Sequence, residues 1–188
     1  MHFSSLPLLE HKLVVLRPIT ASDIKPWFEY LSKREVYEHT SWDVQDASEL
    51  SHYAWKQEEF TPSSLLRFAV ALRSNDELIG TAGFHTVSPQ NQTAEIAYDI
   101  APKYWGKGIG SSVCSALVEW AHSAASVVRV QATVLESNAR SVAVLQRCGF
   151  QHEGLLHSYR KVRGNHGNFH MYAHVAPRAD ASQKTPVK

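Results

Sequence analysis

Residues 93–124 have the sequence TAEIAYDIAPKYWGKGIGSSVCSALVEWAHSA, and this stretch decides the fold. Its first part, Thr93–Ile100, is rich enough in apolar residues to predict a strand. From Gly108 to Ala124 apolar residues recur at helical spacing, which predicts an amphipathic helix. Between the two lie three glycines at alternate positions, Gly106, Gly108 and Gly110. Such a loop exposes backbone N–H groups that, with the positive helix end, can hold a phosphate or pyrophosphate.

The spacing of these glycines narrows the choice of ligand. A dinucleotide-binding fold carries Gly-x-Gly-x-x-Gly, and a nucleoside triphosphatase loop ends in Gly-Lys-Ser or Gly-Lys-Thr. Neither motif is present in this loop. A tight turn without a ligand is the alternative interpretation. We expect a different anionic cofactor to bind here.

Composition indicates one folded domain. A chain of 188 residues that is 44% hydrophobic and 20% charged is large enough for a single core, which we place in residues 1–176. The polar residues 177–188 are predicted to be a disordered tail. The formal net charge of +1 and the lack of an arginine and lysine run argue against a nucleic-acid partner.

The chain shows neither a signal peptide nor a membrane span. Residues 1–10 lack a charged start followed by a long apolar stretch, and no window approaches the ~20 apolar residues that cross a bilayer. We therefore expect a cytoplasmic protein without a membrane partner. Cys114 and Cys148 fall in predicted helices, and no histidine or strong charge pattern marks them as nucleophiles, so both are predicted to be reduced and structural.

Further patterns predict the remaining elements. Strands are predicted at Lys12–Arg17, Leu66–Arg73, Leu78–Val87, Val127–Val134, Phe150–Val162 and Asn168–Val175. Other helices are predicted at Thr20–Lys33, Asp46–Phe60 and Asn138–Arg147. The strands between Leu66 and Ile100 should form an antiparallel meander. The helix that starts at Gly108 should act as a crossover, so that the next strand runs parallel to Thr93–Ile100.

Four motifs together resemble a known family. They are Glu95-Ile-Ala-Tyr-Asp-Ile100, Tyr104-Trp-Gly-Lys-Gly-Ile-Gly110, Glu136-Ser-Asn-Ala-Arg-Ser141 and Gln146-Arg-Cys-Gly-Phe150. With them, the chain from Lys12 to Val175 resembles the GNAT superfamily of acetyl-CoA-dependent N-acetyltransferases, and within it the RimJ/RimL-like branch. The resemblance implies an α/β fold of the α+β type. Its mixed, mostly antiparallel sheet of about seven strands splays between the fourth and fifth strands and is flanked by about four helices.

The resemblance also implies a set of cofactor residues. The pyrophosphate loop of the family, Gln/Arg-x-x-Gly-x-Gly, corresponds to Trp105–Gly110, with Trp105 in place of Gln or Arg. Asn138 corresponds to an asparagine that contacts the pantetheine arm, although Asn is also a good helix N-cap. The residues implied to bind acetyl-CoA are Tyr98, Ile100, Trp105, Gly106, Lys107, Gly108, Ile109, Gly110, Asn138 and Ser141.

Two catalytic residues are expected. Many relatives carry a tyrosine four residues before the Gly-Phe pair, but here that position is Leu145. Ser141 is therefore the candidate that hydrogen-bonds the leaving sulfur, and a surface serine is the alternative. Glu95 is the candidate base, acting through a water, with a structural carboxylate as the alternative. Asp99 shares its strand face about 13 Å away and is expected to pair with a lysine or arginine.

The oxyanion donor and the histidines complete the site predictions. The resemblance points to a main-chain N–H near Tyr98–Ile100 as the donor that stabilises the oxyanion. His85 either faces the cleft as a proton shuttle or is an ordinary, partly exposed histidine. No metal is expected, because His166, His170 and His174 are about 13 Å apart along a strand.

The amine acceptor is the least defined part of the prediction. An α-amine with a pKa of ~8 loses its proton at pH 7 for about 1.4 kcal/mol, whereas an alkyl ammonium requires roughly 4.6 kcal/mol. The expected acceptor is a protein or peptide N-terminus, bound beside the aromatic segment from Trp27 to Trp55. The alternatives are a small amine, such as a polyamine, an amino acid or an aminoglycoside, and a CoA sensor without turnover. A monomer or a homodimer is expected.

Overall fold

A seven-stranded sheet forms the centre of the protein. The computed structural model describes residues 6–54 and 66–177. The strands are β1 Val14–Pro18, β2 Leu66–Leu72, β3 Leu78–Ser88, β4 Thr93–Ile100, β5 Arg129–Leu135, β6 Gln151–Val162 and β7 Asn165–Val175. Their order in the sheet is β1-β2-β3-β4-β5-β7-β6, and the predicted meander is β2-β3-β4.

Four α-helices accompany the sheet in the described residues. They are α1 Ile24–Leu31, α2 Arg34–Tyr37, α3 Ile109–Ser123 and α4 Ala139–Arg147. The predicted capping box is present, and the amide of Thr20 donates to the carboxylate of Asp23 at 2.8 Å. The four-residue helix α2 was not predicted. No helix in the described ranges is long and apolar enough to cross a membrane.

The helix predicted to begin at about Asp46 is present in the described residues as a 3-10 helix. Asp46 is its N-cap, and the helix runs from Ala47 to Tyr53. Its buried residues Leu50 and Tyr53 are three positions apart, which matches the three residues per turn of that helix. The rest of the predicted helix, Trp55 included, lies outside the described residues, as does the predicted tail from residue 178 onward.

The sheet is split between β4 and β5. These strands are parallel as predicted, but only Thr93–Glu95 pairs with Arg129–Gln131. Past Glu95 the two strands separate, although β4 continues to Ile100 and β5 to Leu135. The predicted splay between the fourth and fifth strands is thus confirmed, and it opens a space in the middle of the sheet.

The β6-β7 hairpin is tighter than predicted. The turn lies at Arg163 and Gly164, and β7 begins at Asn165 instead of Asn168. Both turn residues have positive φ, 49° and 83°, as a two-residue hairpin of type I′ requires. Gly167 therefore lies within β7 and pairs with Arg160.

Separate apolar clusters cover the two faces of the sheet. Helix α3 packs on one face through residues such as Val113 and Leu117, which are fully buried. On the other face, α1 contributes Trp27 to a cluster with Leu50 and Tyr53. The ring of Trp27 makes an edge contact with Tyr53 at 5.1 Å. Three rings of the aromatic segment, those of Trp27, Tyr30 and Tyr53, are thus part of the core.

Candidate functional site

The glycine loop presents a bare helix end. Gly106 and Gly108 have φ of 72° and 78°, a left-handed conformation that favours glycine. A Cβ at either position would meet no atom of the described chain within 4 Å. Gly108 is the N-cap of α3, and no described side chain caps this helix end. The first amides of α3 are thus available to an anion, as the sequence predicted.

A cavity of about 360 Å³, here called the glycine-loop cavity, lies against this helix end. Most of the predicted cofactor residues line it, namely Tyr98, Ile100, Trp105, Gly106, Gly108, Ile109, Gly110, Asn138 and Ser141. Lys107 does not, and its Nζ lies 5.1 Å from the ring centroid of Tyr104. The open space beside the glycines fits a pyrophosphate, so the residues present suit a CoA-like molecule.

Two arginines that the sequence reasoning missed add positive charge to this cavity. Arg140 and Arg147 both line it. The guanidinium of Arg140 stacks 3.9 Å from the ring centroid of Trp105, whose Nε1 donates to the carbonyl of Ile100 at 2.6 Å. Trp105 occupies the position of the Gln or Arg in the family's pyrophosphate loop. Its ring supports the guanidinium of Arg140 there. The seven-residue spacing on α4 could have shown that both arginines share one helix face.

Asn138 has two partners in the structure. Its Oδ1 accepts a hydrogen bond from the amide of Ser141 at 3.1 Å, which confirms the N-cap interpretation. Its Nδ2 donates to the carbonyl of His39 at 2.9 Å. The residues His39, Thr40, Ser41 and Trp42 are here called the covering segment, because they line the cavities on both sides of the split sheet.

The covering segment has a second anchor in the β6-β7 hairpin. Arg163, at the tip of the β6-β7 hairpin, donates to the carbonyls of Tyr37 at 2.7 Å and Thr40 at 3.0 Å. Its guanidinium lies 5.6 Å from the ring centroid of Tyr37. Helix α4 and the hairpin therefore both anchor this segment.

A smaller space of about 80 Å³, the central cavity, lies where β4 and β5 separate. It shares Tyr98, Asn138 and Ser141 with the glycine-loop cavity, so the two spaces adjoin. Glu95 lies on its wall, which brings both predicted catalytic residues to one place.

Glu95 is buried, with 7% of its surface exposed, and it has two polar partners. Thr133 on β5 donates to its Oε1 at 2.7 Å, and Arg160 on β6 donates to the same oxygen at 2.9 Å. The sequence reasoning named neither partner. Arg160 is 65 positions from Glu95 along the chain, and nothing in the local pattern marks it.

Asp99 has a structural environment. Its carboxylate is buried and accepts hydrogen bonds from Tyr30 and Arg67, and from Thr81 at 2.7 Å. The expectation that Asp99 pairs with a lysine or arginine is confirmed, and the partner is Arg67. Burial and the adjacent charge of Asp99 raise the pKa of Tyr30 well above its usual value.

Tyr98 brings a phenol to the junction of the two cavities. Its hydroxyl donates to the carbonyl of Ser141 at 3.4 Å, and burial raises the pKa of Tyr98. Leu145 occupies the wall of the central cavity at the position where many relatives have a tyrosine, and it is fully buried. The phenol group beside the central cavity is therefore that of Tyr98 on β4, because position 145 is a leucine.

An outer cavity of about 360 Å³ lies on the far side of the central cavity. It shares Ser41, Trp42, His85 and Arg160 with the central cavity. Asp43 and Glu49 place carboxylates on its wall. His85 faces the cleft, and burial together with the nearby Arg67 lowers the pKa of His85 to about 4.

His122, the histidines of β6 and β7, and both cysteines lie outside the three cavities, whereas His52 lines the outer cavity. His174 bonds to His122 at 2.9 Å and His170 to His152 at 3.1 Å. In the described part of the chain, no group of three or more metal-binding side chains comes together.

Cys148 differs from the expectation of an unactivated thiol. A hydrogen bond from Cys114 lowers the pKa of Cys148 to about 6, with a further contribution from Arg147. The cause is the packing of α3 on α4, which the local sequence around each cysteine does not show.

The comparisons with known proteins agree with this geometry. A family model described as the acetyltransferase (GNAT) domain matches residues 14–151. The uncharacterized N-acetyltransferase YoaA of Bacillus subtilis (strain 168) is 32% identical over 174 residues, which is 92% of this chain and 98% of that protein. The ribosomal-protein-serine acetyltransferase of Escherichia coli (strain K12) is 31% identical over 100 residues, or 53% of this chain and 56% of that protein.

A solved structure supports the fold. The crystal structure of spermidine N-acetyltransferase from Vibrio cholerae in complex with CoA and spermine has a TM-score of 0.73 at 18% identity. The match covers 86% of this chain and 95% of that one. The family model, the YoaA match and the split sheet lead to one conclusion: the chain belongs to the GNAT family of N-acetyltransferases and is an acyltransferase.

Proposed function

We propose that this protein transfers the acetyl group of acetyl-CoA directly to the α-amine of a protein or peptide. The observation that carries the proposal is the path formed by the three adjoining cavities. The glycine-loop cavity and the outer cavity meet the central cavity from opposite sides. A thioester and an amine that enter from the two sides would meet beside Glu95, without a covalent enzyme intermediate.

On the cofactor side, the α3 amides would hold the pyrophosphate, and Arg140 and Arg147 would add positive charge. The pantetheine arm would then follow Asn138 into the central cavity. Ser141 lines both cavities, which places its hydroxyl on the route of the leaving sulfur. A main-chain N–H near Tyr98–Ile100 would stabilise the charge that develops on the thioester oxygen.

On the acceptor side, few described side chains can accept a proton from the amine. This favours an acceptor whose ammonium group loses its proton easily. Among the described residues that line the central cavity, Glu95 is the only carboxylate. His85 is a weak base there, because its pKa is about 4. An α-amine requires about 1.4 kcal/mol for deprotonation at pH 7 and an alkyl ammonium roughly 4.6 kcal/mol. One carboxylate, acting through water, is therefore better matched to an α-amine, as a RimJ/RimL-like enzyme would use.

A small polycationic amine is the second candidate acceptor. The outer cavity carries the carboxylates of Asp43 and Glu49 beside the aromatic rings of Trp42 and Tyr53. Such a wall attracts cations. One structural neighbour is a spermidine N-acetyltransferase, and the relative from Escherichia coli acts on a ribosomal protein, so both acceptor classes occur among similar proteins.

The experiment is an assay of free thiol released from acetyl-CoA with peptides of defined N-terminal residue, with the same peptides blocked at the N-terminus, and with spermidine and aminoglycosides. Release with free but not blocked peptides supports the proposal. Release with polyamines or aminoglycosides alone selects the second candidate. Tight CoA binding without thiol release in the presence of any amine would favour a CoA sensor without turnover. A size measurement of the same sample decides between a monomer and a homodimer.

A further inference from the structure

The two polar partners of Glu95 meet on the same atom. Thr133 Oγ1 and Arg160 Nη2 both donate to Oε1, at 2.7 Å and 2.9 Å. Within the described part of the chain, no hydrogen bond ends on Oε2, and that atom is not among the fully buried polar atoms without a partner. Because Glu95 lies on the wall of the central cavity, Oε2 is the oxygen left for a ligand there.

Arg160 reaches Glu95 because β6 is irregular. The pairing of β6 with β7 shifts register between Leu156 and Arg160, and Ser158 has a positive φ of 50°. The amide of Ser158 donates to Oδ1 of Asn168 on β7 at 3.0 Å, which fixes the irregular stretch. A bulge of this kind redirects a side chain. The partner of Arg160 on β7 is Gly167, so no side chain at that position obstructs the guanidinium.

Aromatic rings hold the guanidinium in place. It lies 5.0 Å from the ring centroid of Tyr159 and 5.8 Å from that of Phe169. Phe169 is buried, and the side chain of Arg160 is 33% exposed. Arg160 also lines both the central and the outer cavity, which places it where an acceptor would enter.

We propose that Arg160 and Thr133 are positioning residues for Glu95, which hold Oε1 so that Oε2 receives the proton of the acceptor amine. This inference rests on the proposed function, in which Glu95 is the base. The proton passes from the ammonium to Oε2, directly or through one water, and the neutral nitrogen then forms a bond to the thioester carbon. The carbon–sulfur bond breaks, and the CoA thiolate leaves and takes up the second proton that the nitrogen loses as the amide forms. Arg160 places a cation against Oε1, and Thr133 fixes the rotation of the carboxylate.

The test compares the kcat and KM values of Arg160→Met, Arg160→Lys and Thr133→Val with those of the wild type, using the best acceptor from the thiol-release assay. Arg160→Met should lower kcat by about tenfold or more, since a misplaced catalytic group loses rate, with a smaller change in the KM for acetyl-CoA. Arg160→Lys, which keeps a cation beside the carboxylate, should restore part of the lost kcat. Thr133→Val should also lower kcat, with little change in the KM for acetyl-CoA.

The matched control is Arg129→Met. Arg129 also forms an arginine–glutamate pair, with Glu153 at 2.6 Å, but it lines none of the three cavities. It should keep the wild-type kcat and KM. An Arg160→Met enzyme that is folded and has the wild-type kcat would overturn the inference. Glu95→Gln separates the two proposals: if it is fully active, Glu95 is not the base and the inference falls with it, whereas an inactive wild type with every amine would refute the proposed function itself.

Discussion

The side-chain nitrogen of Asn138 lies 2.9 Å from the carbonyl oxygen of His39, so the cap of α4 is also an anchor of the covering segment. The two roles can be separated by substitution. Asn138→Ala removes both and should lower the free energy of unfolding by about 1 kcal/mol or more. Asn138→Asp keeps the cap but removes the donor to His39, so its stability should lie between alanine and wild type. Urea unfolding measures this order, and an aspartate variant as unstable as alanine would show that the His39 contact dominates.

Gly108 tests whether the loop is a binding site or only a turn. Its φ of 78° means that Gly108→Ala should cost about 1–2 kcal/mol of backbone strain, without a steric clash. Gly108→Glu adds a carboxylate at the point where the pyrophosphate would sit. We expect calorimetry to show CoA affinity at least about tenfold weaker for glutamate than for alanine, since like charges in contact cost several kcal/mol. Equal affinities for the two variants would mean that no phosphate lies there.

The buried pair of Asp99 and Arg67 should be important for stability. Asp99→Asn removes the charge that balances a buried guanidinium, which typically costs 3–5 kcal/mol when one partner of a buried pair is lost, so we expect about that much. The matched control is Glu153→Gln on the half-exposed pair with Arg129, expected to cost less than about 1 kcal/mol. Urea denaturation of both variants measures the difference. Similar losses at the two sites would contradict the structural role given to Asp99.

His85 predicts a dependence of stability on pH. Its pKa is about 4 in the folded protein, below the ordinary value of 6.5. The unfolded chain therefore takes up a proton as the pH falls below 6.5 and the folded chain does not, so stability is lost between pH 6.5 and 4. Between pH 7.5 and pH 5.0 the wild type should lose about 1–2 kcal/mol more than His85→Gln. The exposed His157→Gln is the control, and equal losses in wild type and His85→Gln would refute the assignment.

The local parts of the fold followed from the sequence. Strand β4 runs from Thr93 to Ile100, the bounds that its pattern indicated, and helix α3 begins one residue after Gly108. Both are set by short-range features, namely apolar spacing and the glycines before a helix. Glu95 and Ser141, which were identified from the motifs, line one cavity, because each lies at a fixed place relative to the split strands.

The contacts between distant segments could not be predicted in the same way. The approach of Arg160 to Glu95 depends on an irregularity of β6, and the anchoring of Tyr37 by Arg163 depends on the hairpin turn. The lowered pKa of Cys148 arises mainly from Cys114, which is brought to it where two helices pack. Each of these depends on three-dimensional neighbours that no local periodicity encodes.

The short pairing of β4 with β5 has a consequence for the protein without its cofactor. Beyond Glu95, each of these strands turns a row of peptide groups toward the gap instead of toward the other strand. Within the described residues, β4 and β5 thus carry unpaired peptide groups in the interior of the sheet. An elongated molecule with amide groups of its own, lying in the gap, would complete the hydrogen bonding as an inserted strand does, and would continue the connection between β4 and β5 that the chain itself makes only at Thr93–Glu95.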